Sequence, residues 1–237
     1  MRLFVFLLAF PVLAQEPPKA RRPSIFDKIT EQLGVAKPAV SGDKTADGIR
    51  EALRVGAERA VELVSKPDGY FRNRLIKILM PEKLRAADKA LRVIGLGKVS
   101  DDLILSMNRA AEAAAPAAKP IFVDAVKKMT FDDARRILTG NDTAATQYFK
   151  EKTSIDLASA FKPLIDKSID ETGVVKFYNQ MFGKIPFMKD DAFHIHGYVL
   201  QKSLDGLFFM LGEEEKKIRK DPAARVTQIL KDVFGGR

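Results

Sequence analysis

The sequence contains no cysteine, no tryptophan and only two histidines among its 237 residues. Without cysteine the chain has no disulfide, no thiolate nucleophile and no cysteine-based zinc or iron–sulfur site. It also has no cysteine that could carry a lipid anchor after removal of an export signal. The fold therefore forms without covalent cross-links, and the 46% of hydrophobic residues can supply a sizeable core.

Long apolar runs are scarce as well, and the one that stands out lies at the beginning of the chain. Arg2 is followed by apolar residues as far as the small residue Ala14. This pattern is typical of a secretory signal cut after Ala14, and it is shorter than the ~20 residues of a membrane-spanning helix. We therefore predict that residues 1–14 are a signal peptide, that the protein is exported, and that no transmembrane segment remains after cleavage.

Acidic residues are the minority charge, with 31 against 40 basic residues and a formal net charge of +9. The excess is concentrated in residues 71–98, here called the basic segment, which hold eight basic and two acidic residues for a net charge of +6. A surface of this kind can contact nucleic acid, lipid headgroups or an acidic partner. Since export removes the chain from nucleic acid, we predict no nucleic-acid partner.

Prolines and hydrophobic periodicity divide the rest of the chain. Residues 15–42 are Pro-rich and predict a mobile arm, whereas residues 43–237 carry apolar residues at the three- and four-residue steps of helices. Residues 70–80 alternate loosely and are compatible with an extended stretch that is too short to make a sheet alone. The sequence predicts an all-α, single-domain bundle of short and medium helices around a long, largely buried C-terminal helix.

That long helix is expected to span about Asp190–Lys220, because apolar residues cover most of its sides over much of its length. Gly206 and Gly212 within it indicate close helix–helix approach, since glycine costs ~1 kcal/mol in a helix interior. Beyond Gly212 the pattern turns polar. We expect this end to project into water, with Glu215 paired to Arg219.

Local signals predict several helix boundaries. Ser100 is expected to cap a helix that begins at Leu103, and Thr130 with Asp133 resembles a capping box. The helix inside the basic segment is expected to turn Ile94 toward the core, together with the apolar residues that precede it at helical spacing.

On the opposite side of that helix lie Arg85, Lys89 and Arg92. One interpretation is a solvated face on which Asp88 pairs with Arg85 or Arg92. The other is a binding surface for an anionic ligand, so the three basic residues are candidate ligand-binding residues.

Three stretches in order resemble a known family: SMNRAAEAAAPAAKPIFVDAVKKMTFDDARRIL (106–138), AATQYF (144–149) and QKSLDGLFFMLGEEEKKIRKDPAAR (201–225). They are similar to the bacterial domain-of-unknown-function family numbered 4197, over roughly residues 43–235. The resemblance implies an all-helical, periplasmic protein of a Gram-negative-type envelope. It implies no activity and no catalytic residues, and His194 and His196 depart from its pattern.

Those two histidines could share a metal only if their segment is extended or lies at a helix start, because on a helix they point about 200° apart. The simpler interpretation is a capped helix start with partly exposed imidazoles. We predict no metal site and no cofactor.

A polar cluster on the helix after residue 100 is the second candidate site. Asn108, Arg109 and Glu112 lie together on the side away from its alanines. Arg109 and Glu112 at i,i+3 are compatible with an internal ion pair, and the arginine fork could instead hold a carboxylate or phosphate.

The turn formed by residues 140–143 (GNDT) is a third candidate, because free N–H groups at a helix N-terminus can bind an anion. Alternatively, Asn141 or Asp142 caps those groups. The sequence has no P-loop, no H-E-x-x-H helix and no G-x-S-x-G elbow, so the usual support for phosphoryl transfer, zincin and hydrolase chemistry is missing.

These observations favour a non-enzymatic periplasmic protein that binds an envelope lipid, an anionic glycan or a partner protein. The alternative is an enzyme that uses the cluster of Asn108, Arg109 and Glu112.

Overall fold

The computed structural model describes residues 42–173, 176 and 195–220. Within them the regular secondary structure is helical, without strands, and the helices belong to one compact unit. The predicted all-α, single-domain class is confirmed. The predicted signal peptide, the arm up to residue 41 and, from the range with helical periodicity, residues 174–175, 177–194 (with His194) and 221–237 lie outside the described residues.

The α-helices, numbered along the described chain, are α1 Gly42–Ser65, α2 Arg85–Val93, α3 Gly97–Ala114, α4 Ala118–Lys127, α5 Phe131–Thr139, α6 Ala144–Thr172 and α7 Ile195–Lys220. Short 3₁₀ turns precede α2 and α4. The long helix α7 packs against α1, α3 and α6, and α6 also packs against α3, α4 and α5. This confirms a bundle in which a long late helix packs against its neighbours.

Aromatic rings mark the centre of the core, where α4, α6 and α7 meet. The ring centroids of Phe122 and Phe149 lie 4.8 Å apart, and those of Phe122 and Phe208 lie 6.3 Å apart, in tilted arrangements. All three side chains are buried. Tilted ring pairs at these separations stabilise a fold by more free energy than their buried area alone accounts for. This cluster therefore helps to determine how the three helices pack.

Two predicted helix starts have different outcomes. The capping box of α5 is confirmed: Thr130 Oγ1 accepts from the Asp133 N–H, and Asp133 Oδ2 accepts from the Thr130 N–H, both at 3.1 Å. The prediction for Ser100 is wrong, because α3 already begins at Gly97 and Ser100 is fully buried within it. Gly95, with φ of 81°, reverses the chain so sharply that the next helix starts two residues later.

Ile94 was expected in the core, and this prediction is also wrong, since 65% of it is exposed. It is the C-cap residue of α2, and its φ and ψ of −89° and 12° have already left the helix. The periodic pattern that placed it inward therefore ends one residue before it.

The polar end of α7 was expected to project into water, and this too is wrong. Glu214, Glu215 and Ile218 are all buried. Ile218 lies beside Gly56 on α1, where its Cδ1 would be 3.4 Å from a Cβ, an ordinary contact. Glu215 and Arg219 form hydrogen bonds inside the protein, as described below, and periodicity alone does not reveal such bonds.

Gly206 does lie close to a neighbour, but the predicted helix–helix contact is wrong there, because that neighbour is not a helix. A Cβ there would lie 2.6 Å from Tyr70 Cε1 and 3.2 Å from Ile76 Cβ, both in the stretch between α1 and α2. A Cβ at Gly212 would meet only ordinary contacts, the nearest being Thr146 Oγ1 at 3.5 Å. The two glycines of one helix therefore differ in why they are tolerated.

We expect Gly206→Ala to lower the free energy of unfolding by about 1–3 kcal/mol, because the buried Tyr70 ring has no room to move aside. Gly212→Ala serves as the matched control and should leave the free energy unchanged or raise it by up to ~1 kcal/mol through helix propensity. Urea unfolding followed by circular dichroism measures both. Equal losses in the two variants would contradict the assigned contact.

Candidate functional site

The polar row of α3, defined as Asn108, Arg109 and Glu112, faces the chain between α1 and α2. Asn108 and Glu112 stand one helical turn apart and are 0% and 4% exposed. The stretch that they face, residues 70–80, is here called the connecting stretch, and it contains turns and irregular backbone. Polar side chains buried this deeply require hydrogen-bond partners, and the connecting stretch provides them.

The carboxylate of Glu112 has both oxygens engaged. Oε1 accepts from the backbone N–H groups of Tyr70 at 3.0 Å and Phe71 at 3.1 Å. Oε2 accepts from Arg109 Nη1 at 2.5 Å. The predicted internal ion pair of Arg109 and Glu112 is therefore present, and its carboxylate also binds the start of the connecting stretch.

The guanidinium of Arg109 is shared between two carboxylates. Its Nη2 donates to Asp68 Oδ1 at 2.7 Å, just after the end of α1, and its carbon lies 5.8 Å from the Phe71 ring centroid. The hydrogen bond to Glu112, followed by the one to Asp68, raises the pKa of Arg109. The fork that the sequence offered as an anion-binding group thus has two anionic partners within the protein.

Asn108 forms hydrogen bonds with both peptide groups of one residue. Its Oδ1 accepts from the Ile78 N–H at 2.8 Å, and its Nδ2 donates to the Ile78 carbonyl at 2.8 Å and to the Ile104 carbonyl at 2.7 Å. This is the pairing that a neighbouring strand would supply in a sheet. The side chain therefore replaces a strand for an irregular stretch that has none beside it.

The other face of the connecting stretch is fixed by α7. The hydroxyl of Tyr70 donates to the Ser203 carbonyl at 2.6 Å, and the ring is fully buried, which raises the pKa of Tyr70. Tyr198 donates to the Leu79 carbonyl at 3.1 Å. Since α3 and α7 hold both ends of the stretch, its outward side chains have a defined position.

Side chains of the connecting stretch alternate between the two sides. Ile76, Ile78 and Met80 are buried, whereas Leu75 and Leu79 are 70% and 57% exposed. Basic residues lie on the outer side too: Arg72 and Arg74 are exposed, and half-buried Lys77 places its Nζ 4.2 Å from the Phe71 ring centroid. The polar row thus holds a stretch whose outer side is a basic surface.

The basic residues of α2 pair mostly with nearby acids. Arg92 binds Asp88 at 2.8 Å, as one interpretation predicted, and Asp101 at 2.6 Å, whereas Arg85 binds Glu82 at 3.3 Å. These pairs are solvent-exposed and contribute little stability. Within the described residues, no carboxylate lies at ion-pair distance from exposed Lys89.

Residues 140–143 precede α6. The first N–H groups of α6 do bind an anionic group, and this group is a carboxylate of the protein itself. Glu215 accepts from the Ala145 and Thr146 N–H groups at 2.9 Å each. Arg219 binds Glu215 at 2.8 Å and donates to the Ile137 carbonyl at the end of α5. A negative group at a helix start and a positive one at a helix end both match the helix dipole.

Asn141 accepts from the N–H and hydroxyl of Thr143, which precedes α6 as its N-cap residue. Asp142 pairs with Lys220, and this pairing lowers the pKa of Asp142. The turn is therefore built from its own side chains and those of α7. The sequence could not identify Glu215 as the anion, because a carboxylate about seventy positions away leaves no local signal.

A small apolar cavity lies between α1, α5, α6 and α7, with Ile49, Leu53, Leu211 and Ile218 among its lining residues. Its volume is about 30 Å³, room for one or two water molecules and far less than a lipid chain requires. Lipid binding inside the described bundle therefore has no support from this cavity.

His196 is the histidine that the structure describes. Its Nε2 lies 3.0 Å from Asp170 Oδ1, a contact between the end of α6 and the start of α7. Within the described residues no group of three or more histidine and carboxylate side chains is placed to hold a metal ion. Nor is any described helix long and apolar enough to cross a membrane.

The fold and the polar row define a helical bundle whose buried charges organise its own backbone. The chain matches the model of DUF4197, described as a protein of unknown function, over residues 39–235, and it belongs to that family. The resemblance identified from the sequence is thus confirmed. Neither a curated protein nor a solved structure matches the chain.

We expect Asn108→Ala to lower the free energy of unfolding by about 2–4 kcal/mol, because it leaves the buried N–H and carbonyl of Ile78 without partners. Tryptic cleavage after Arg74 should accelerate as the connecting stretch loosens. Urea unfolding and timed proteolysis measure the two effects.

Ser100→Ala is the matched control on the same helix. Among the described residues, Ser100 Oγ is the buried side-chain oxygen without a hydrogen-bond partner, so removing it should leave stability unchanged or slightly higher. If Asn108→Ala behaves like Ser100→Ala in both measurements, Asn108 does not hold the stretch.

Proposed function

We propose that this chain is a non-enzymatic periplasmic protein that binds an anionic component of the envelope through its basic segment. The observation that carries the proposal is the distribution of charge: the basic segment holds +6 of the chain's total of +9. A concentrated positive surface attracts anions over a Debye length of about 8–10 Å at ordinary salt concentrations.

Rigid presentation of these charges supports binding. Side chains of α3 and α7 fix the connecting stretch, so exposed Arg74 does not need a flexible loop to reach a ligand. Groups held in place before binding lose less entropy when a ligand arrives. Exposed Lys89 on α2 adds a second cation to the same segment.

The competing enzyme hypothesis requires a pocket with converging polar groups. Arg109 binds Asp68 and Glu112, and Glu112 binds the backbone as well, so both groups act within the fold. The described cavity lies elsewhere and is small. These contacts favour a binding protein over an enzyme.

Replacing Arg74 and Lys89 together by Glu should weaken binding to vesicles of phosphatidylethanolamine and phosphatidylglycerol by at least about tenfold. Each cation near an anionic surface contributes ~1 kcal/mol, and reversal adds repulsion. Cosedimentation at low and high salt measures the loss, and heparin chromatography tests a soluble polyanion in parallel.

The matched control is Lys150→Glu with Lys152→Glu, two exposed positions on α6 outside the basic segment. It makes the same change in net charge and should leave binding nearly unaffected. Equal losses for both pairs would show that overall charge acts rather than this surface, and no binding by the unaltered protein to either probe would refute the proposal.

The periplasmic location can be tested through the predicted signal peptide. Expressed in a Gram-negative host, the protein should appear in the periplasmic fraction with an intact mass that begins at Gln15. Ala14→Glu should retain the leader, since cleavage requires a small residue there. A full-length chain that stays in the cytoplasm would contradict export.

A further inference from the structure

The turn between α2 and α3 exposes consecutive aliphatic side chains. Val93 is 86% exposed, Ile94 65% and Leu96 39%, with Gly95 between them. Single exposed aliphatic residues are ordinary, but adjacent ones at the tip of a helix pair mark an interaction surface more often. Here they end the helix that carries the candidate residues Arg85, Lys89 and Arg92.

Hydrogen bonds lock this turn in place. The Leu96 N–H donates to the Leu91 carbonyl at 2.8 Å, and the Gly95 N–H donates to the Arg92 carbonyl at 3.2 Å. With the positive φ of Gly95, this pair of bonds is a Schellman motif, a well-defined helix ending. The aliphatic side chains are therefore presented outward by an ordered turn.

The outward stripe of α2, formed by Ala86, Lys89, Ala90 and Val93, leads to this tip. These residues are exposed on one side of the helix, because Lys89 and Ala90 lie three and four positions after Ala86 and Val93 lies four and three positions after them. The acids near this stripe have basic partners: Glu82 binds Arg85, Asp88 and Asp101 bind Arg92, and Asp102 binds Lys98.

A lysine, Lys89, among small apolar residues suits a flat, anionic and partly apolar surface. The small alanines allow α2 to approach a plane closely, and lysine side chains can extend their ammonium groups toward headgroups while their stems lie on apolar material. The tip beyond them offers aliphatic groups to the acyl boundary. Interfacial helices combine these same two contributions, buried apolar area and attraction to anionic lipids.

We propose that the stripe of α2 and the tip formed by Val93, Ile94 and Leu96 dock on an anionic lipid bilayer, with the tip inserted at the acyl boundary. This inference rests on the proposed function and names its ligand as a membrane surface. A soluble anionic glycan would pair with Lys89 but would leave the aliphatic tip in water.

The absence of tryptophan from the chain makes a direct test available, since one introduced indole is then the only one. Val93→Trp should shift its emission to shorter wavelength on phosphatidylethanolamine–phosphatidylglycerol vesicles and be quenched by lipids brominated along their acyl chains. Ile155→Trp is the matched control, because Ile155 on α6 is 82% exposed, and it should show neither effect.

A second pair of variants removes the concern that the indole itself drives insertion. Val93→Ser with Ile94→Ser retains every charge and should weaken vesicle binding by about tenfold, while binding to heparin stays as in the unaltered protein. Ile155→Ser should bind vesicles normally.

The outcomes separate this inference from the proposed function. Vesicle binding that depends on Arg74 and Lys89, without emission shift at position 93 and without loss in the serine pair, would overturn tip insertion and leave anion binding standing. Binding to heparin but not to vesicles would overturn it in favour of a glycan. Absence of binding to both would overturn the two proposals together.

Discussion

The connecting stretch between α1 and α2 imposes the constraint on which the rest of the structure depends. Its backbone is neither helix nor sheet, yet it packs into the protein, so its N–H and carbonyl groups need partners that regular structure does not provide. Glu112 and Asn108 supply them from one helix, and Ser203 accepts from Tyr70 on the other side. The connecting stretch, α3 and α7 are thereby held in a fixed arrangement relative to one another.

A second set of buried charged side chains also binds backbone groups, at the termini of α5 and α6. Glu215 satisfies the N-terminal N–H groups of α6, Arg219 binds a carbonyl at the end of α5, and the two side chains pair with each other. Removing one partner of such a pair leaves a charge buried without compensation, which is more costly than losing an exposed pair. The interior charges therefore serve the fold, and the charges free for ligands lie on the surface.

This division supports the proposal that the ligand is an anionic surface rather than a small substrate. Glu112 is bound by backbone N–H groups and by Arg109, and Arg109 is also bound by Asp68. The apolar cavity, at about 30 Å³, is too small for most substrates. The basic segment, in contrast, carries most of the chain's charge excess, and its first part, residues 71–80, is held against the bundle by these same buried contacts. The contacts that stabilise the fold therefore also position part of the proposed binding surface.

Sequence periodicity predicted the helical class and the bundle because amphipathic spacing reports directly on which side of a helix is buried. Local residue patterns also predicted the capping box at Thr130 and the Arg109–Glu112 pair, since both are contacts between near neighbours. The sequence prediction was wrong where residues distant in the chain determine which side chains are buried. Glu215 is buried because α6 begins beside it, although local polarity predicted an end in water.

Helix boundaries set by backbone geometry were the other source of error. Periodicity assigned Ile94 to the core, but the helix ends at Val93 and the turn directs Ile94 outward. The partner of Asn108 could not be found either, because an asparagine amide pairing with Ile78 thirty positions earlier leaves no mark on the local pattern. Ile94 belongs to the surface that we propose for function, whereas buried Asn108 holds the connecting stretch beside it.

Hydrogen–deuterium exchange with and without anionic vesicles tests the central claim most directly. The account predicts that the amides of residues 70–80 are already slow in the free protein, because α3 and α7 hold them, and that vesicles add protection within residues 71–98 alone. Fast exchange in 70–80 without vesicles, or added protection centred on another helix, would contradict it.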